Sequence, residues 1–300
     1  MNIVTPSKGS EQNMTGIYSS ILINVKDEHR YLIEWVEHHR AYGFNHIYVV
    51  EDFNSSSHKE LLNTYIENGF ISLHRMEELG FKDIARNHTP WRQVWMYNRF
   101  FEEVKPHENE WCLFLDTDEF LMFGNGYNLE RLLDECSKQE QTVRYLPLRN
   151  FNASGHIFAP KVPTVEAYTS WQYFERDMLC KSIIRADNPK VKFCCIQRAY
   201  DTNPIPKPSV YDLHPNDVWI NHYFTKSWED WCIRMRRGSQ DENLRRVEQF
   251  FDIYNPDMRG LKNLLVSEYR NNQKNWFANT GNFISDAGIE ILKTLGYSCV

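Results

Sequence analysis

Two aspartates and a glutamate follow an apolar segment near the middle of the chain. The segment WCLFL ends at Leu115, and Asp116, Asp118 and Glu119 come directly after it. Because side chains alternate along an extended strand, Asp116 and Asp118 are predicted to point to the same side. Carboxylates so close together need a cation, and Mg²⁺ or Mn²⁺ binds carboxylate oxygens while leaving positions open for phosphate oxygens. The spacing predicts a divalent metal ion and a diphosphate-bearing ligand; a solvated acidic turn is the alternative.

A ligand site at Asp116 to Glu119 requires a sheet that places these residues at its edge. The residues that precede them in the chain indicate such a sheet. Residues 17–25, 46–52 and 70–75 are apolar runs of strand length, and amphipathic helical patterns follow the first two. Alternation of strand and helix is typical of a doubly wound α/β sheet, whose ligands bind beyond the carboxyl ends of the strands. We predict an α/β fold with a doubly wound, Rossmann-like mixed sheet and helices on both faces.

The helix boundaries are predicted from capping residues and glycines. Asp27 is expected to cap the first helix, which ends at Gly43, and Ser57 or Ser56 to cap the second, which ends at Gly69. The same patterns predict later helices over 91–104, 128–139 and 227–238, a strand over 142–151, and packing helices after residue 261.

Composition excludes several classes of protein. The chain has 34 basic and 40 acidic side chains, and its net charge of −6 gives no general attraction to nucleic acid. The first 16 residues lack the pattern of a signal peptide, and no run approaches the roughly 18 apolar residues needed to span a bilayer. Seven cysteines without a Cys-x-x-Cys pair indicate free thiols in a reducing compartment. We therefore expect a cytoplasmic protein without a membrane span or a nucleic-acid partner.

The order of motifs resembles glycosyltransferase family 92 and the related family 2-like enzymes of GT-A fold. The resemblance covers roughly residues 19–240 and rests on Glu34-Trp35, His38-His39, the Asp-x-Asp-Glu-Phe segment Asp116 to Phe120, the loop RNFNASGH, the strand CKSIIR, Asn221-His222-Tyr223 and Lys226-Ser227. It implies a GT-A fold and metal-dependent transfer of a sugar from a nucleotide donor, with inversion at the anomeric carbon. The implied partners are a nucleotide sugar and a glycan or glycoconjugate acceptor.

The resemblance also implies which residues hold the metal ion. Asp118 and His222 would be its ligands, with Asp116 assisting, and a set of carboxylate and imidazole suits Mn²⁺ better than Ca²⁺. Lys226 would neutralise the departing diphosphate. The alternatives are a hydrogen-bonded core histidine for His222 and a solvated surface lysine for Lys226.

Donor recognition is assigned, again by resemblance, to residues after the first two strands and on the helix before the acidic segment. UDP is the expected nucleotide, because family members mostly use UDP-sugars. The alternatives are a first-turn helix charge for Glu28, a turn former for Asp52 and a satisfied polar side chain for Asn98. The implied donor residues are Val25, Lys26, Glu28, Asp52, Gln93, Asn98 and Asp116.

Inversion requires a general base that takes the proton of the acceptor hydroxyl. The residues do not identify it: Glu166, Asp177, Asp187 and Asp217 all lie downstream of the acidic segment. Glu166 is favoured because it aligns with an acidic position in relatives, and Asp177 follows it; an exposed charge is the alternative for Glu166.

Three departures from the family pattern stand out. Asp27 replaces an Asn, Asn152-Ala153 replace Gly-Ser, which makes close backbone approach to a ligand less certain there, and Gln197-Arg198 stand where a His is expected. A dense basic stretch includes residues 234, 236, 237, 245 and 246, but interspersed acidic residues predict a solvated face rather than a nucleic-acid site.

The chain has no internal repeat and no low-complexity linker, which predicts one compact domain. Residues 1–16 are expected to be loosely attached, and residues 17–300 to form a single catalytic domain. Within it, 17–125 would bind the nucleotide sugar, 126–245 would shape the acceptor side, and 246–300 would pack as helices. Two other functions stay open: a sugar-binding protein without turnover, and a metal-dependent nucleotidyltransferase or phosphohydrolase that uses the same carboxylates.

Overall fold

The computed structural model describes residues 17–80, 89–172, 180–202, 216–236, 249–277 and 284–297. The chain divides into two compact units: the first lies within Met1–Leu148 and Arg176–Ile220, and the second within Arg149–Glu175 and Asn221–Val300. Residues 1–16 lie outside the described ranges, and the predicted single catalytic domain with its three parts stays a prediction.

The first unit begins with four parallel strands connected by helices. The elements are β1 Tyr18–Val25, α1 Leu32–Ala41, β2 His46–Glu51, α2 Lys59–Glu67, β3 Ile71–Arg75, α3 Thr89–Glu103 and β4 Glu110–Leu115. The strands pair in the order β3-β2-β1-β4. Strand order therefore reverses between β1 and β4, and ligands of open α/β sheets bind in the crevice outside such a reversal.

Most of the remaining strands join this sheet and make it mixed, as predicted, whereas Val191–Phe193 and Ala199–Asp201 form a separate antiparallel pair. Beyond β4 the order continues β8-β6-β11-β5, with β7 paired to β6, and β8 runs antiparallel to both β4 and β6. The elements are β5 Glu119–Phe123, α4 Leu129–Lys138, β6 Val143–Phe151, α5 Thr164–Ala167, β7 Trp171–Gln172, β8 Cys180–Arg185, β9 Val191–Phe193, β10 Ala199–Asp201, β11 Val218–His222 and α6 Trp228–Arg236.

The chain ends in helical segments. A π-helical turn over Phe250–Tyr254 and a 3₁₀ turn over Pro256–Leu261 precede α7 Lys262–Phe277 and α8 Asp286–Thr294. None of the helices in the described ranges combines the length and the apolar content needed to cross a bilayer.

The central strands are buried on both faces, which explains their uninterrupted apolar sequence. Neighbouring residues point to opposite faces, yet Ile21 and Leu22 on β1 and Leu113 and Phe114 on β4 are all 0% exposed. One of these faces packs against α3 through residues such as Phe100. This burial confirms the prediction of a sheet with covered faces.

The second unit has its own hydrophobic core. Trp228 and Trp231 on α6 pack with Phe250 and Phe251, and Ala153 belongs to the same cluster. Ala153 is 0% exposed and its N–H donates to Asn255 Oδ1 at 2.6 Å. The departure from the family's Gly-Ser pattern at this point therefore fills the core of the second unit.

The predicted cap of α1 is wrong, whereas Ser57, one of the two serines expected to cap α2, accepts from Lys59 N at 3.2 Å. Tyr31 stands at the N-cap of α1 and His58 at that of α2, and neither makes a side-chain capping bond. Asp27 instead has a left-handed backbone (φ 54°) and precedes the helix by several residues. The side chain of Asp27 accepts from that of Ser56, the other serine considered as a cap for α2, and this bond connects the two loops.

A buried glutamate at the start of β4 predicts a pH effect on stability. Glu110 accepts hydrogen bonds from Ser20 Oγ, His107 N (2.7 Å) and Tyr48 OH (3.4 Å), and burial raises its pKa. Stability from the protonated form is present below the unfolded pKa of about 4.3 and is lost as pH rises through the folded pKa. Glu110→Gln stays neutral but replaces one acceptor oxygen by an NH₂ group, so its free energy of unfolding relative to that of the wild type should increase as pH rises through the folded pKa of Glu110.

Urea unfolding at a series of pH values measures this difference. The exposed neighbour Glu108 supplies the control, and Glu108→Gln should show no such trend. A gap between Glu110→Gln and the wild type that stays constant with pH would contradict the assignment.

Candidate active site

Asp116, Asp118 and Glu119, called the acidic corner below, lie in a tight turn after β4. The strand ends at Leu115, and Glu119 N donates to Asp116 O at 3.0 Å. Asp116 N in turn donates to Glu119 Oε2 at 2.9 Å. The alternation of an extended strand therefore does not apply to the two aspartates, contrary to our expectation. Asp118 lies at the turn with its side chain half-buried.

Lys181 brings a buried positive charge into the acidic corner. It lies on β8, and its Nζ is 2.7 Å from Asp116 Oδ2 and 2.9 Å from Glu119 Oε2. The side chains of Lys181 and Glu119 are each 2% exposed, whereas that of Asp116 is 30% exposed. Burial acts to lower the pKa of Lys181, but the two carboxylates raise it well above its ordinary value. Burial raises the pKa of Glu119 to about 8, although Lys181 opposes the rise.

Lys181 is a site residue that the sequence alone did not reveal. The available signal was a basic residue inside the apolar strand CKSIIR, because a lysine on a buried strand requires a partner. Its partners are 65 residues away for Asp116 and 62 for Glu119 (181 − 119), so spacing alone did not identify them.

Side chains of helix α1 form hydrogen bonds with the backbone of β5, which begins in the acidic corner. Trp35 Nε1 donates to Glu119 O at 2.7 Å, and His38 Nε2 lies 2.7 Å from Leu121 O. Leu121 N donates to His39 Nε2 at 3.3 Å, so this ring is neutral with its proton on Nδ1. Burial, with His38 nearby, lowers the pKa of His39 well below its usual value. These motif residues hold β5 in place.

The loop after β1 is tied to the loop after β2. Asp52 N donates to Val25 O at 2.8 Å, and Glu28 N donates to His58 Nε2 at 3.0 Å. His58 Nδ1 faces Glu51 Oε1 at 3.1 Å, which places the proton on Nδ1 and leaves Nε2 as the acceptor for Glu28. The segment that contains Val25, Lys26 and Glu28 is thus fixed at the carboxyl edge of the sheet.

Asp27 makes the same connection through its side chain. Its Oδ1 accepts from Ser56 N at 2.9 Å and from Ser56 Oγ, while its backbone N–H donates to Ser55 Oγ at 3.2 Å. An Asn can accept the same bonds and tolerates the left-handed backbone, which explains the exchange of Asp for the family's Asn.

Three substitutions of Asp27 separate these contributions. Asp27→Asn should change the free energy of unfolding by less than about 0.5 kcal/mol, because it keeps the acceptor. Asp27→Gly loses the acceptor without backbone strain, at a cost of about 0.5–1.5 kcal/mol, and Asp27→Ala adds about 1–2 kcal/mol of strain to that loss. Urea unfolding should therefore rank the variants Asn, Gly, Ala; an alanine variant as stable as the asparagine variant would contradict this ranking.

The other expected donor residues have mixed surroundings. Gln93 Nε2 donates to Asp116 Oδ1 at 2.8 Å, so α3 contacts the acidic corner. Asp52 is buried and pairs with Arg92 at 2.6 Å; burial raises its pKa and Arg92 opposes the rise. Both ends of the Asn98 amide bond the backbone of Phe193, at 3.0 and 2.7 Å. Asn98 therefore braces β9, as the alternative interpretation had it.

His222 lies in the second unit, at the end of β11. Its Nδ1 is 2.8 Å from Asn150 Oδ1, so Nδ1 donates its proton to this oxygen. This is the arrangement typical of histidines that bind metals through Nε2. In the part of the chain that the structure describes, no group of three His, Cys, Asp or Glu side chains is arranged to hold a metal ion.

Lys226 is buried rather than solvated. It is 7% exposed and has a left-handed backbone (φ 50°), directly before the N-cap of α6. Ser227 caps this helix by accepting from Asp230 N at 3.1 Å.

Arg234, predicted to lie on a solvated face, is partly buried: its Nη1 donates to Phe224 O at 2.6 Å. This correction follows from the ring of Phe224, over which the guanidinium packs at 4.4 Å.

The candidate general bases are dispersed. Glu166 is exposed on the short helix α5 of the second unit, and Asp177 lies outside the described residues. Asp187 pairs with Arg185 at 2.8 Å, and Asp217 accepts from Asn125 at 2.9 Å, which are structural partners for both. Glu166 stays a prediction.

Comparison with known proteins identifies similar chains. A family model described as glycosyltransferase family 92 matches residues 21–259. A glycosyltransferase family 92 protein of Oryza sativa subsp. japonica is 22% identical over 209 residues, covering 68% of this chain and 33% of that protein. The chain thus spans about a third of that relative's length.

Similar solved structures include TarS residues 1–349 of S. aureus, with a TM-score of 0.40 and 14% identity, covering 82% of this chain and 75% of that one. The same TarS fragment in complex with UDP has a TM-score of 0.39 and 14% identity, with coverages of 87% and 78%.

Proposed function

We propose that this chain, which belongs to glycosyltransferase family 92, transfers a monosaccharide from a nucleotide sugar to a hydroxyl group of a glycan or glycoconjugate acceptor. The finer features of the proposal are a UDP-linked donor, dependence on Mn²⁺ or Mg²⁺, and inversion at the anomeric carbon.

The acidic corner is the observation that supports this proposal most directly. It follows β4, one of the two strands between which strand order reverses, and the fixed loop of Val25 to Glu28 follows the other. Open α/β sheets bind nucleotides outside this kind of reversal. Carboxylates there suit a metal-bridged diphosphate, which is the leaving group of a nucleotide-sugar donor.

The side chains present fit a divalent ion by their chemistry. Asp118 has a carboxylate in a half-buried turn, and His222 has an imidazole whose Nδ1 is bonded to Asn150. When bound, the ion would stabilise negative charge on the departing diphosphate. Lys226 would add a positive charge near that group, and Glu166 or Asp177 would take the acceptor proton.

Asn150→Ala tests the role of His222. The substitution removes the acceptor that fixes the imidazole, so we expect Mn²⁺ affinity to fall by about 10–100-fold. Titration of Mn²⁺ with UDP present measures the change. Asn63→Ala, at an exposed asparagine on α2, is the matched control and should leave the affinity unchanged. Equal affinity in the two variants would remove His222 from the proposed ligand set.

The proposed activity is tested by binding and then by product analysis. UDP and GDP are titrated against the protein with and without Mn²⁺, and a panel of nucleotide sugars is screened for release of nucleoside diphosphate. Metal-dependent binding without turnover would indicate a sugar-binding protein. Release of pyrophosphate or sugar phosphate would indicate a nucleotidyltransferase or phosphohydrolase. The anomeric configuration of the product tests inversion.

The cytoplasmic location stays a prediction. The cysteines in the described ranges, Cys112, Cys136, Cys180, Cys194, Cys195 and Cys232, are free thiols, in agreement with our expectation from the sequence. Fractionation of cells that express the full chain would test the compartment.

A further inference from the structure

In the described part of the chain, a lysine side chain places its positive charge inside the acidic corner. Lys181 Nζ is within 2.9 Å of both Asp116 and Glu119, and its side chain is 2% exposed. A lysine is rarely buried so completely unless carboxylates surround its ammonium group. The position of Lys181 between Asp116 and Glu119 therefore indicates that it has a role in the acidic corner.

Both oxygens of Asp116 face donors from the protein. Oδ2 is 2.7 Å from Lys181 Nζ, and Oδ1 accepts from Gln93 Nε2 at 2.8 Å. A divalent ion on Oδ2 would stand next to an ammonium group, and like charges in a partly buried site repel strongly. Gln93 is itself bonded to Tyr97 OH at 2.6 Å, so this orientation of Asp116 has support from α3 as well as β8.

We propose that Lys181 is a positioning residue that fixes Asp116 before any ion binds and withholds this carboxylate from coordinating the metal. This inference rests on the proposed metal-dependent function. Of the acidic corner, Asp118 then supplies the metal ligand, while Asp116 and Glu119 hold the turn in shape. Lys181 thereby limits the affinity for the ion and makes the geometry of the corner independent of its presence.

A coupling experiment tests the proposal with Mn²⁺ binding as its readout. Asp116→Asn is introduced into the wild type and into Lys181→Met/Glu119→Gln, a background that removes the ammonium group together with its buried carboxyl partner. Each Asp116→Asn protein is compared only with its own parent, so a difference in net charge between the backgrounds does not enter the comparison, and the amide oxygen introduced by Glu119→Gln keeps an acceptor for Asp116 N. Free Mn²⁺ is measured by electron paramagnetic resonance, and circular dichroism checks the fold.

We expect Asp116→Asn to change Mn²⁺ affinity by less than about threefold in the wild type, because Asp116 is not a ligand there. In the double-substituted background Asp116 is released to the ion, so the same change should weaken binding by about tenfold or more. A purely structural role for Lys181 would not make the effect of Asp116→Asn depend on the background. If Lys181→Met/Glu119→Gln does not fold, Lys181→Gln/Glu119→Gln takes its place, because its glutamine at position 181 retains hydrogen bonding.

The outcomes separate this inference from the proposed function. Asp116→Asn could weaken Mn²⁺ binding by the same factor in both backgrounds, or it could leave binding unchanged in both. Either result overturns the proposed role of Lys181, while the proposed metal binding stands. If none of the proteins binds Mn²⁺, the proposed metal dependence fails and the inference fails with it.

Discussion

Asp118→Asn is expected to reduce sugar transfer by at least about 10³-fold while the protein stays folded. Asp118 lies in the turn after β4 with its side chain half-buried, at the edge of the sheet where the diphosphate is proposed to bind. The amide keeps the shape of the side chain but removes the charge that would bind a divalent ion. Release of nucleoside diphosphate at saturating donor measures the loss.

Asp134→Asn is the matched control for this experiment. Asp134 lies on α4 and pairs with Lys138 at 2.7 Å on an exposed surface, where ion pairs contribute little. It should retain the wild-type rate. An Asp118→Asn variant that keeps more than about a tenth of the wild-type rate would contradict the assigned role, since stabilisation of the leaving group's charge contributes far more.

Lys181→Met is expected to lower the free energy of unfolding by about 3–5 kcal/mol, measured by urea denaturation. The substitution removes the ammonium group that the buried carboxyl of Glu119 and the half-buried one of Asp116 share. Because the pKa of Glu119 is already raised to about 8 by burial, its protonated form stabilises the fold at low pH and this stability is lost as pH rises through that value. The loss in Lys181→Met should thus be larger at about pH 9 than at about pH 6.

Lys138→Met provides the comparison for an exposed ion pair. The Lys138 side chain is 72% exposed, and its loss should cost less than about 0.5 kcal/mol. At about pH 9, where Glu119 is ionised in the wild type, adding Glu119→Gln to Lys181→Met should restore part of the lost stability, because the buried negative charge is removed with its partner. A Lys181→Met variant as stable as Lys138→Met would show that the buried contacts are not needed.

Several parts of the fold were predictable because their determinants are local. The apolar runs of β1, β2 and β4 are buried on both faces, and burial on both faces is what uninterrupted apolar sequence indicates. The cap of α1 was not predictable in the same way. Asp27 has a capping side chain, but Ser56, 29 residues later, provides hydrogen bonds that a local pattern does not reveal.

The acidic corner shows the same division more clearly. The chemistry of Asp116, Asp118 and Glu119, and their position after a buried strand, can be inferred from the sequence, because carboxylates and apolar runs act over a few residues. The pairing of Asp116 with Lys181 cannot, because Lys181 reaches it only after β8 has paired antiparallel with β4. Electrostatic neutralisation depends on distance in space, and chain folding alone sets that distance.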